Sequence, residues 1–133
     1  KLSMRIPPTL DKEIAVKAMQ KALSENPPYD SSIRVEFDEP ATGWNAPDLD
    51  PWLDSAIQEA SHAYFKKPAL SMGEGGTIPF MAMLGEKFPK AQFVITGILG
   101  PQSNAHGPNE FIHIPYAKKL TASIASIIQQ FPK

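Results

Sequence analysis

The chain contains no cysteine among its 133 residues. This absence excludes a disulfide framework and any thiolate metal site, so a transition metal bound here would need imidazole and carboxylate ligands. It leaves the compartment open. We expect a cytoplasmic protein.

Strong charge and long apolar runs are also missing. The formal net charge is -1, and no run of lysines or arginines exceeds two. The basic surface that nucleic acid or anionic membrane would favour is therefore absent. The most apolar segment, residues 91–99, is far shorter than the ~20 residues of a membrane span. We expect a small-molecule or peptide partner, with no nucleic acid and no membrane.

Two segments near the N-terminus alternate between apolar and polar residues, as half-buried strands do. They are residues 1–6, with Arg5 on the polar face, and residues 33–38. Between them, Thr9 is the predicted N-cap of a helix that ends at Asn26 and two prolines. The pattern predicts a strand, helix, strand unit. Since residues 1–6 lack an initiator methionine and already alternate like a strand, we expect the chain to begin inside a domain.

The rest of the chain follows a punctuated stretch at residues 39–47, and we place a domain boundary near Asn45. Asp50 and Pro51 form a strong helix start, and Thr77 can cap a short helix that ends near Lys87. The helix that starts at Pro51 should end at residues 66–68, and its buried stripe should consist of Leu53, Ala56, Ile57, Ala60 and Tyr64. Residues 93–99 are typical of a strand covered on both faces, and residues 115–131 of an amphipathic helix. We therefore expect an α/β fold, with an α+β arrangement in residues 1–45.

One loop, residues 100–110, places His106 directly after the most apolar strand, where open α/β sheets bind ligands. Neutral imidazole is a common zinc ligand, although a loop histidine is more often a solvated or capping residue. Asn109 and Glu110 are close enough to orient the imidazole or to satisfy backbone donors. His62 and His113 keep no metal-ligand spacing, and we interpret both as structural.

A glycine-rich turn at residues 73–77 opens the short helix. Its free N–H groups and the helix dipole would favour an anion, but a tight turn that needs positive φ is the favoured interpretation of these glycines taken alone. No serine or threonine has a base at a recognisable spacing, so the sequence does not support nucleophilic catalysis.

Three segments, in order, carry a family resemblance: KLSMRIPP at residues 1–8, EGGTIP at 74–79 and AHGPNE at 105–110. Together they resemble the dinuclear zinc peptidases and amidohydrolases that include carnosinase, carboxypeptidase G, aminoacylase and succinyl-diaminopimelate desuccinylase. The resemblance spans nearly the whole chain, and the second and third segments are its more specific parts.

The resemblance implies that residues 1–45 are the second half of a lid and dimerisation domain, and residues 46–133 the closing segment of a catalytic domain. It implies a homodimer formed through the lid. His106 would be the last ligand of a site for two zinc ions or other divalent metals. Gly75, Gly76 and Thr77 would receive the carboxylate end of the substrate, and Arg5 would reach the same carboxylate.

The implied activity is cleavage of an amide bond in a dipeptide or an N-acyl amino acid, succinyl-diaminopimelate-like substrates included. The other ligands and the general base would lie upstream of Lys1, in the rest of the parent chain. No catalytic residue is therefore expected within this chain, which alone should be inactive and hold no zinc tightly.

Two departures from the family pattern concern specificity. Gly73 stands where carnosinase-like members tend to have arginine, and Thr77 replaces the more usual serine but keeps its hydroxyl. The alternative hypothesis is a non-catalytic carboxylate-binding or oligomerisation module. A His-x-Asp element and a Glu-Glu pair upstream of Lys1 would favour the hydrolase.

Overall fold

The computed structural model describes residues 1–73 and 79–132. Its helices are α1 (Lys12–Ser24), α2 (Pro51–Phe65), α3 (Pro79–Lys87) and α4 (Ile114–Gln129), with a short 3₁₀ turn at Pro28–Asp30. Two compact units are present: residues 1–46 with 73–91, and residues 47–72 with 92–133. The division into a lid part and a catalytic part stays a prediction.

The predicted strands at residues 1–6, 33–38 and 93–99 do not form sheets in the described part of the chain. Its β pairing is a single antiparallel bridge between Leu99 and Ile112. Lys1 forms an ion pair with Asp38, so the first two segments meet at one end, yet no ladder follows. A strand needs a hydrogen-bonded neighbour in register, which an alternating pattern alone does not supply. The α/β expectation is therefore met only in part, and the regular structure is mainly helical.

Helix α1 begins at a local capping site. The Asp11 side chain accepts hydrogen bonds from the backbone N–H groups of Glu13 at 2.9 Å and Ile14 at 3.2 Å. Asp11 is therefore the N-cap, and the prediction of Thr9 was wrong because a carboxylate two residues later reaches the free donors. The helix ends at Ser24, before Asn26 and the prolines, as predicted.

Because α1 has no buried residue, its stability should depend on this cap. We expect Asp11→Ala to destabilise α1 by about 1 kcal/mol, whereas Asp11→Asn should keep the acceptor and most of the stability. Amide hydrogen exchange within α1 measures the difference. Equal exchange rates in the two variants would show that the cap contributes little.

The core of the second unit lies between α2 and α4. Its buried hydrophobic residues are Leu53, Ala56, Ala60 and Ile127. Leu53 is 2% exposed, and two alanines on the same face leave room for close helix packing. The predicted buried stripe of α2 is confirmed at Leu53, Ala56 and Ala60.

Aromatic contacts at both ends show that α2 and α4 run antiparallel. Trp52, at the start of α2, meets Phe131 edge to face, with ring centroids 5.3 Å apart. Phe65, at the end of α2, lies 5.0 Å from Tyr116, at the start of α4. Ser123 is buried in this packing, but its hydroxyl donates to the carbonyl oxygen of Lys119 at 3.0 Å and is satisfied.

Side-chain amides tie the neighbouring segments to α2. The backbone N–H of Asp50 donates to Gln92 Oε1 at 2.7 Å, which anchors the segment that leads to the His106 loop. Gln58 exchanges two hydrogen bonds with the backbone of Ala69, at 3.0 and 3.2 Å. Lys66 ends the helix in the left-handed conformation, where the sequence predicted a stop.

Apolar side chains remain exposed beside this core. Ile95 is 56% exposed and Ile112 also 56%. An open groove of about 900 Å³ is lined by Ile98, Leu99, Glu110, Phe111, Ile112 and Ile114. Among the described residues, the backbone of 94–97 makes no hydrogen bond. None of the described helices has the length and apolarity to cross a membrane.

Candidate functional site

The loop that carries His106 is closed at its base by backbone and side-chain hydrogen bonds. Next to the Leu99–Ile112 bridge, the Gly100 N–H donates to the carbonyl oxygen of Phe111 at 3.2 Å. The Phe111 N–H donates in turn to Ser103 Oγ at 2.8 Å. A Cβ on Gly100 would lie 2.1 Å from the Phe111 ring, so glycine allows this closure.

The tip of the loop is held by a second set of bonds. Asn104 Nδ2 donates to the carbonyl oxygen of Pro108 at 2.9 Å, and the Gly107 N–H donates to the carbonyl oxygen of Asn104 at 3.0 Å. The His106 N–H donates to Glu110 Oε2 at 3.1 Å. His106 itself has a positive φ of 61°, a conformation that costs energy for a residue with a side chain. These bonds therefore hold an unfavourable backbone in place.

The imidazole of His106 is not engaged by the loop. The residue is exposed, and within the described residues neither ring nitrogen makes a hydrogen bond. One nitrogen can therefore bind a metal while the other remains available for a partner.

His113 differs in this respect. Its Nδ1 accepts a hydrogen bond from the Tyr116 N–H at 3.1 Å and caps α4. This supports the structural interpretation of His113, because an accepting Nδ1 leaves the ring proton on Nε2, so neither nitrogen of the neutral imidazole offers a free lone pair to a metal. His62 lies exposed in the last turn of α2.

Within the described residues, the His106 imidazole can supply one ligand of a metal site. No group of three or more histidine, cysteine, aspartate or glutamate side chains comes together in residues 1–73 and 79–132. Zinc usually takes three or four protein ligands, so His106 does not complete a site with its described neighbours. Its role as a ligand remains a prediction.

Of the predicted substrate-binding residues, Arg5 belongs to the unit of residues 1–46 and 73–91. It is exposed and makes no ion pair or hydrogen bond with a described residue. Gly75, Gly76 and Thr77 lie outside the described residues. The carboxylate pocket therefore stays a prediction.

Sequence reasoning missed the roles of Ser103 and Asn104 in the loop. Both side chains bond the backbone four to eight residues ahead. Serine and asparagine between two Gly-Pro pairs are typical of side chains that satisfy the backbone of turns, and that signal could have found them. For Glu110, the expectation that it would satisfy a neighbouring backbone donor is confirmed.

Comparison with known proteins supports the family resemblance only in part. No family model matches the chain. A cysteinylglycine-S-conjugate dipeptidase from Corynebacterium striatum is 25% identical over 126 residues, a match that covers 87% of this chain. The chain spans 27% of the length of that relative. The chain is thus similar in sequence to part of a dipeptidase.

Proposed function

We propose that this chain is a segment of a metal-dependent peptidase or amidohydrolase that cleaves an amide bond in a dipeptide or an N-acyl amino acid. One structural observation carries the proposal. An exposed histidine with two unengaged ring nitrogens sits on a loop whose backbone is held by side-chain hydrogen bonds. The similarity to a dipeptidase agrees with it.

In this proposal His106 supplies one ligand to a zinc ion or to a related divalent metal. When bound, the metal would activate water for attack on the amide carbonyl. Arg5 and residues 75–77 hold the substrate carboxylate, through a guanidinium and backbone N–H groups respectively. The remaining ligands and the general base come from outside this chain.

The exposed apolar surface supports a role as part of a larger protein. Residues 94–97 offer unpaired backbone donors and acceptors within the described part of the chain, and Val94 and Ile95 are 40% and 56% exposed. Apolar surface with free backbone is a typical pairing site for further strands. We propose that the rest of the parent chain covers it, and that residues 1–45 contribute to a homodimer.

The test compares the full-length protein that contains this segment with the isolated chain. We expect the full-length protein to hydrolyse a dipeptide, a cysteinylglycine S-conjugate or an N-acyl amino acid. A chelator should remove the activity, and added zinc should restore it. The isolated chain should be inactive in the same assays.

Two results would contradict the proposal. Robust turnover by the isolated chain would refute its role as an incomplete segment. The peptidase and amidohydrolase assignment would be refuted if the metal-loaded full-length protein cleaved none of these amides.

A further inference from the structure

We propose that Glu110 is a positioning residue that directs the imidazole of His106 toward the metal by holding the His106 backbone. The inference rests on the proposed function, since it assigns a role within the same site. It starts from a single contact, the hydrogen bond from the His106 N–H to Glu110 Oε2 at 3.1 Å.

The hydrogen bond to Glu110 matters because it stabilises the left-handed backbone conformation of His106. The φ of His106 is 61°, in the left-handed region that L-residues disfavour. The direction of the Cα–Cβ bond follows from the backbone angles, so a return to an extended conformation would turn the imidazole away. A charge-assisted hydrogen bond from the His106 N–H to a carboxylate favours the left-handed state.

Glu110 is itself tied to the base of the loop. The next residue, Phe111, donates its N–H to Ser103 Oγ, and its carbonyl oxygen accepts from Gly100. The bridge at Ile112 and the helix cap at His113 follow directly. The carboxylate therefore links the tip of the loop to the start of α4, which packs on α2.

The opposite side of the loop tip is closed independently of Glu110. The Asn104 amide bonds Pro108, and a Cβ on Gly107 would lie 2.6 Å from Asn104 Nδ2, so these residues are in close contact. Loss of the Glu110 bond should consequently release His106 and leave the rest of the loop closed.

Three substitutions of Glu110 separate the effects of its hydrogen-bond acceptor, its negative charge and the length of its side chain. Glu110→Ala removes the acceptor, Glu110→Gln keeps an acceptor of the same reach without charge, and Glu110→Asp keeps the charge with less reach. Glu86→Ala is the matched control, because Glu86 is an exposed carboxylate of α3 with no hydrogen bond or ion pair to a described residue.

The first measurement uses the isolated chain and observes the contact directly. In proton–nitrogen correlation spectra, the His106 amide proton should move upfield in Glu110→Ala and Glu110→Asp. It should stay near its wild-type position in Glu110→Gln and Glu86→Ala. An amide that is unmoved in Glu110→Ala would refute the contact and the proposal with it.

The second measurement uses the full-length protein and zinc. Loss of an outer residue that orients a metal ligand typically costs 10–100-fold in metal affinity or activity. We expect Glu110→Ala to weaken zinc affinity by about this factor, with a matching fall in kcat and little change in KM. Glu110→Asp should lose affinity similarly, and Glu110→Gln should recover most of it.

The outcomes distinguish this inference from the proposed function. If His106→Ala leaves zinc binding unchanged, His106 is not the ligand that the proposed function assigns, and Glu110 has no ligand to position. If His106→Ala loses zinc but Glu110→Ala matches Glu86→Ala, the positioning role alone is refuted. A Glu110→Gln protein that binds zinc as weakly as Glu110→Ala would also refute the positioning role. The hydrogen-bond acceptor would then not be the group that orients His106.

Discussion

Replacing His106 with alanine in the full-length protein should abolish amide hydrolysis and remove about one equivalent of zinc. Within the described residues, the His106 loop offers no second imidazole to take its place. A metal that polarises a carbonyl or activates water contributes several kcal/mol, which corresponds to at least about a thousandfold in rate. Metal analysis after dialysis and steady-state kinetics measure the two effects.

His62→Ala is the matched control for this prediction. His62 is exposed and lies on α2, outside the loop, so its loss should leave zinc content and kcat unchanged. His113→Ala removes the cap of α4 and should lower stability without lowering zinc content. Unchanged zinc content in His106→Ala would refute His106 as a ligand.

Replacing Leu53 with alanine should destabilise the α2–α4 unit by about 2–5 kcal/mol. Leu53 is 2% exposed, and its neighbours on the same face, Ala56 and Ala60, are too small to fill the space it would leave. The loss combines the transfer of a buried side chain with the cost of a cavity. Urea unfolding followed by Trp52 fluorescence, in a Trp44→Phe background, measures it.

Leu70→Ala applies the same substitution at an exposed position of the same unit. Leu70 is 91% exposed, so its truncation should change the free energy of unfolding by less than about 0.5 kcal/mol. If Leu53→Ala and Leu70→Ala destabilise equally, Leu53 does not belong to a packed core.

The helices were predictable because their signals are local. Asp50 and Pro51 mark the start of α2, Asn26 and two prolines follow the end of α1, and apolar residues recur at helical spacing. The sequence analysis placed the N-cap of α1 at Thr9, two residues before the observed cap at Asp11. Threonine and aspartate can both accept hydrogen bonds at an N-cap, so the sequence does not distinguish them. Such errors move a boundary and leave the element in place.

The strands were not predictable in the same way. Residues 93–99 have the composition of a buried strand, yet in the described chain only Leu99 pairs, with Ile112. Pairing depends on a second segment that is often distant in sequence, so composition indicates which segments can form strands and not which segments they pair with. The exposed apolar side chains of residues 94 and 95 show the consequence.

The sequence by itself determined four helices, the α2 stripe and the choice of His106 over His62 and His113 as the candidate ligand, because spacing and composition act locally. Only the tertiary structure decided that α2 and α4 pack antiparallel, that His113 is occupied as a cap, and that Glu110 holds the His106 backbone. These features depend on distances between separate side chains and backbone groups, which folding sets and a linear pattern does not contain.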